Sequence, residues 1–184
     1  MCVGVIASEN YECRDFIIAS AAVPVLAQYI DSRSNLSTLQ VLSWTLSILC
    51  GVSHDKNHQP SLPHLEPVLG KIVEMMIHVD DEEVKCNCIE AMRLILMGVP
   101  NGDVLQHMIA LLVCKSVRVQ ICTLEALQSL IEYDERQYEF LVRSDLFLAL
   151  KQVFKHSDTS VRQQALQTLV IIAEKREHFG QICK

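Results

Sequence analysis

The sequence predicts an all-α, right-handed solenoid of about four helical repeats, one of them shortened. Three observations predict it. A five-residue box with apolar edges recurs four times, and a second amphipathic stretch precedes each copy. The composition suits helix: half of the 184 residues are hydrophobic, with 6 Gly, 5 Pro and only 5% aromatics. That is too few aromatics for an ordinary β-sandwich and too few breakers for a linker or a collagen-like chain.

The boxes read LSWTL, CIEAM, TLEAL and ALQTL, each four residues after a small or β-branched residue: Thr38, Val84, Val119 and Val161. Apolar or small residues thus return at intervals of three and four, the signature of an amphipathic helix. The box centres are Trp44, Glu90, Glu125 and Gln167, spaced by 46, 35 and 42 residues. Helical repeats of the armadillo and HEAT type run about 40–47 residues, so two steps fit and one is short.

The elements follow in order. VGVIA at 3–7 reads as the tail of a third helix, which predicts that the chain begins inside a repeat and is a fragment of a longer array. ECRDFIIAS at 12–20 is a short first helix and PVLAQYI at 24–30 a second, with Pro24 tolerated in the first turn. DSRSN at 31–35 then introduces the helix that carries LSWTL. The stretch 53–67 is one long polar loop, and PVLGKIVEMM at 67–76 is a second helix starting at Pro67. DDEE at 80–83 caps the next long helix, since carboxylates complement a helix N-terminus.

After MGVPNGD at 97–103 the chain enters LQHMIALLV directly, with no room for a first helix; this repeat has lost one. ERQYEFLVRS at 135–144, DLFLALKQVF at 145–154 and SDTS at 157–160 lead to the last box. The array therefore divides at 1–9 (partial), 10–53, 54–98, 99–133 (shortened) and 134–184.

Charge and motifs narrow the function. The net charge of -6 disfavours nucleic acid as a partner. No apolar run reaches the roughly 18 residues of a membrane span, and the N-terminus lacks the basic region of a secretory signal. The eight cysteines are scattered through apolar stretches and read as reduced, buried thiols. Cys86 and Cys88, two apart on a helix, point to different sides and suit packing better than zinc. His54, His58 and His64 lack a fourth ligand in sequence, and no metal or cofactor is expected. No catalytic motif is present, and a repeat surface suits binding rather than enclosed chemistry.

VGVIASENYECRDFI, LSWTLSILCG, HVDDEEVKCNCIEAM and MGVPN resemble consecutive stretches of the importin-α family, the armadillo adaptors for nuclear-localisation signals. The resemblance runs nearly end to end and corresponds to the middle of that family's array. It implies an armadillo solenoid whose third helices line a concave groove holding an extended Lys/Arg-rich peptide. It also implies a protein of cytoplasm and nucleus. In the family a Trp, with an Asn four residues later, recurs on successive third helices: the Asn amide holds the peptide backbone and the Trp faces flank Lys and Arg stems. The family reaches importin-β through a basic N-terminal segment that no stretch of this sequence matches.

Carried over residue by residue, the resemblance places Ala7, Ser8, Glu9 and Trp44 as retained peptide contacts. The Asn positions hold Val5, Ile48 and Ile171, while Glu90, Glu125 and Gln167 stand at Trp positions, with Leu94 and Ser129 one turn on from the first two. Each missing amide removes roughly 0.5–1.5 kcal/mol of binding. Polar residues equivalent to Trp44 imply that its face is exposed. Glu90 and Glu125 read either as solvated helix charges or, with Glu9, as an acidic stripe that steers basic peptides. Two functions follow: an import adaptor with weakened or altered specificity, or a scaffold that has lost signal binding and uses its aliphatic replacements to hold a hydrophobic partner.

Overall fold

The computed structural model describes residues 2–31, 34–51 and 62–182. Among them the chain forms eleven helices and no strand. They are α1 (Cys2–Glu9), α2 (Tyr11–Ala19), α3 (Ala22–Gln28), α4 (Leu36–Cys50), α5 (Leu62–His78), α6 (Glu82–Gly98), α7 (Gly102–Leu111), α8 (Val117–Tyr133), α9 (Glu135–Arg143), α10 (Leu146–Val153) and α11 (Thr159–Ile182). Two compact units result, Met1–Val99 and Pro100–Lys184.

Within the first unit α1, α4 and α6 lie in a row, α4 packing on both neighbours, while α2, α3 and α5 pack against one another and against the row. The box pattern explains the burial. Val84 and Leu46 are wholly buried, as are Leu49, Val68, Ile72 and Met76. The second unit repeats the arrangement: α8 packs on α11, with α7, α9 and α10 behind. Val119, Leu124, Leu127, Val161 and Ala165 are wholly buried there. Burying each such aliphatic side chain contributes about 1.5–3 kcal/mol.

Helix starts are set by short polar side chains that accept the orphan N–H groups of the first turn. Asp81 accepts from Val84 at 2.9 Å and Asp158 from Ser160 at 2.8 Å, as the acidic turns predict. The turn at 31–35 works differently: the cap of α4 is the amide of Asn35, which accepts from Thr38 at 2.8 Å. Asn10, Asn101, Ser116 and Asp134 cap α2, α7, α8 and α9 in the same way. Ala21 joins α2 to α3 at φ 58°, a left-handed conformation that costs an Ala roughly 1 kcal/mol.

One boundary differs from expectation. α5 starts at Leu62, so Pro67 lies inside the helix rather than at its first turn. Proline there removes one backbone bond and costs about 3 kcal/mol. Its ring is exposed, however, while Leu65, Val68, Ile72, Met75 and Met76 continue one buried stripe past it, and that burial outweighs the loss. Between α6 and α8 the chain forms a single helix, α7, so this repeat has no separate first helix, as the short spacing implies. His54 and His58 of the polar loop lie outside the described residues, and His64 is exposed on α5.

Polar links tie neighbouring long helices. Asn87 donates to Ser43 at 3.1 Å between α6 and α4. Gln128 on α8 donates to Thr168 at 2.8 Å and to the Gln164 carbonyl at 3.0 Å on α11, and Gln164 returns a bond to Gln128 at 3.1 Å. Gln120 donates to the Leu112 and Cys114 carbonyls and so closes the α7–α8 turn. No helix among the described residues is long and apolar enough to cross a membrane.

Cys50 and Cys88 are buried on the facing helices α4 and α6, and loss of hydration pushes both thiols up to about 12. The unfolded chain ionises them from about pH 8.5. Above that point the unfolded state binds fewer protons than the folded one, so stability falls as pH rises towards 12. Denaturant titrations from pH 8 to 11 will show this fall, and Cys50→Ala, which also removes the charge that Cys50 would place beside Cys88, will make it shallower.

Candidate functional site

The exposed sides of the long helices follow from the same 3.6-residue period that buries the opposite sides. On α4 that side runs through Ser37, Val41, Trp44 and Ile48, and on α6 through Glu83, Asn87, Glu90 and Leu94. On α1 it includes Val5, Ser8 and Glu9. These three helices adjoin in the first unit, so their outer sides make one surface.

Trp44 is half-buried, and its benzo ring edge rests on Gly4 of α1: a Cβ at Gly4 would stand 2.5 Å from Trp44 Cζ3 and 2.8 Å from Thr45 Oγ1. Only glycine lets α1 approach α4 this closely. Ser43, Thr45 and Ser47 donate to the carbonyls of Gln40, Val41 and Trp44, at 3.0, 2.8 and 2.8 Å, so α4 buries three hydroxyls without leaving any orphaned. Ile48, one turn beyond Trp44, is half-buried and offers no amide.

Ala7 belongs to the core of α1, with 4% exposure, and presents no side chain to the surface. The small-residue match at that position reflects helix packing rather than an open contact. Ser8 is exposed and donates back to the Val5 carbonyl at 2.8 Å. Glu9 is exposed at the end of α1. Glu90 is held by Arg93 on its own helix: Nε donates to Oε2 at 2.8 Å and Nη2 to Oε1 at 2.5 Å. This i,i+3 spacing is visible in the sequence, and it is the signal that would have found Arg93. Gly4 carried no such signal, because its role depends on a helix 40 residues away.

In the second unit Glu125 and Gln167 are exposed on α8 and α11. Ser129 bonds back to the Glu125 carbonyl at 3.0 Å, and Ile171 is half-buried. Among the described residues no three His, Cys, Asp or Glu side chains group as a metal site would require. The arrangement offers aromatic and aliphatic surface edged by carboxylates, suited to laying a chain across helices.

No protein-family model matches the chain. It is similar to importin subunit alpha-1b of Oryza sativa subsp. japonica, 25% identical over 174 residues, which cover 90% of this chain and 32% of that protein. Importin subunit alpha-1a of the same plant is 26% identical over 170 residues, 88% of this chain and 31% of that protein. The chain thus spans about a third of the length of these curated relatives. Among solved structures it matches a designed armadillo repeat protein in complex with the peptide (KR)4, with a TM-score of 0.73 and 18% identity, over 92% of this chain and 72% of that one. Computationally designed armadillo repeat proteins for modular peptide recognition match with a TM-score of 0.73 and 16% identity, over the same shares. The fold is therefore an armadillo-repeat α-solenoid, and the chain is a divergent, importin-α-like armadillo protein.

The Gly4–Trp44 contact can be tested directly. Gly4→Ala overpacks the α1–α4 contact and should lower stability by about 1–3 kcal/mol. Because Trp44 is the sole tryptophan, its emission maximum should shift with the substitution while far-UV circular dichroism stays unchanged.

Proposed function

We propose that this chain is part of an importin-α-like import adaptor that holds an extended, Lys/Arg-containing nuclear-localisation peptide on the outer face of α1, α4 and α6. The observation that carries the reading is Trp44, half-exposed on a long helix within an aliphatic stripe of Val41 and Ile48. A lysine stem lies well against an indole, and a cation over the ring adds about 0.5–2 kcal/mol. Glu9, exposed on the neighbouring helix, supplies local opposite charge, and the overall charge of -6 steers basic ligands.

Two comparisons support the reading: the curated relatives are importin α subunits, and a protein of the same fold was solved with (KR)4. By this reading the partners are basic signal peptides, and the protein works in cytoplasm and nucleus without catalysis. Within the second unit, Glu125 and Gln167 stand exposed at the corresponding positions of α8 and α11. Ile48 in place of an amide weakens hold on the peptide backbone. The second reading, a scaffold for an apolar partner helix, is favoured by Val41, Ile48 and Leu94 along this face.

Titration with a (KR)4 peptide, followed by Trp44 fluorescence at two salt concentrations, separates the two. The adaptor reading expects saturable binding that weakens with salt. Trp44→Ala, checked by calorimetry, should weaken it about two- to thirtyfold while the melting transition persists. A folded protein that ignores the peptide leaves the scaffold reading standing.

A further inference from the structure

We propose that Arg93 sets the specificity of the α6 portion of this face: by occupying Glu90, it closes that position to lysine and leaves a subsite for an apolar peptide side chain. The inference rests on the peptide-binding reading above and names what that peptide must carry.

Glu90 stands where α4 has Trp44, so a chain crossing from α4 meets it next. A carboxylate there would be a natural partner for a second basic residue. Both its oxygens are instead engaged by one guanidinium in a forked arrangement, which fixes direction as well as charge. The Arg93 side chain is only 20% exposed, against 47% for Glu90, so the pair is partly withdrawn from solvent. Arg93 Nη1 also reaches Met97 Sδ at 3.8 Å, laying the guanidinium along the helix. Leu94 and Met97, both half-buried, complete an aliphatic surface around the neutralised pair.

Glu125 gives the contrast. It occupies the equivalent place on α8, is exposed, and has no ion-pair partner among the described residues. The neutralisation at Glu90 is thus a local property of α6. A lysine arriving there would face Arg93 and would have to displace a preformed partner, whereas a leucine would bury area against Leu94 and Met97 at no electrostatic cost. Packed helices lie about 8–10 Å apart and an extended chain rises about 3.3 Å per residue, so the apolar residue falls roughly two to three positions from the lysine on Trp44.

The test uses the full chain, the (KR)4 octapeptide, and a scan replacing each of its positions in turn by leucine. Arg93→Met keeps the aliphatic bulk and frees Glu90. It should tighten (KR)4 binding about three- to fivefold and steepen its salt dependence. Adding Glu90→Gln should remove the gain. Arg143→Met, which deletes the same charge from a side chain 80% exposed on α9, should change nothing. Wild type should tolerate leucine at one position, and Arg93→Met should lose about three- to fivefold with that same peptide relative to (KR)4.

Tight (KR)4 binding by Arg93→Met alone would also support the assignment. Binding by wild type that Arg93→Met leaves unchanged, in affinity and salt slope, overturns this inference and spares the peptide-binding reading. No binding of any peptide by either folded protein overturns both.

Discussion

Side-by-side packing of the long helices is the contact on which the first unit is built. α4 approaches α1 through Gly4 and Thr45, and α6 through the Ser43–Asn87 bond. Small residues and locally bonded hydroxyls make these seams narrow, and the large aliphatic residues fill the layer behind them. An open outer face is the geometric consequence. A helix whose inner side is committed to neighbours must turn its remaining third or so outward, and the residues there are released from packing to serve a ligand.

That division explains the uneven character of the outer face. The same helix turn that buries Leu42 and Leu46 leaves Trp44 half-open, and the turn that buries Cys88 and Met92 leaves Glu90 half-open. Trp44 is nonetheless tied to structure through Gly4, so it is both a surface element and a strut. Glu90 is tied to Arg93. Neither residue is a bare probe in solvent, and each has its chemistry modulated by one neighbour.

The seam between α8 and α11 in the second unit uses a different device. Gln128, Gln164 and Thr168 exchange bonds in a buried amide–hydroxyl link. A buried amide left unpaired would cost about 1–3 kcal/mol, so such a link fixes the register of the two helices more sharply than apolar contact does. Glu125 and Gln167 stand on the outer sides of those helices.

Helix, repeat and shortened repeat were legible in the sequence because they depend on local periodicity. A 3.6-residue pattern, short polar caps and the spacing of box centres need no knowledge of distant residues. The cap at Asn35 and the run of α5 through Pro67 were less legible: the first is a choice among adjacent polar residues, and the second was decided by a buried stripe worth more than one lost backbone bond. The site was only half legible. Spacing could nominate Trp44, Ile48, Glu90, Glu125 and Gln167 as one-sided positions, and the family resemblance could suggest why. Tertiary structure alone put Gly4 beneath Trp44 and took Ala7 into the core, since both results depend on how closely two helices approach, a distance that no local pattern encodes.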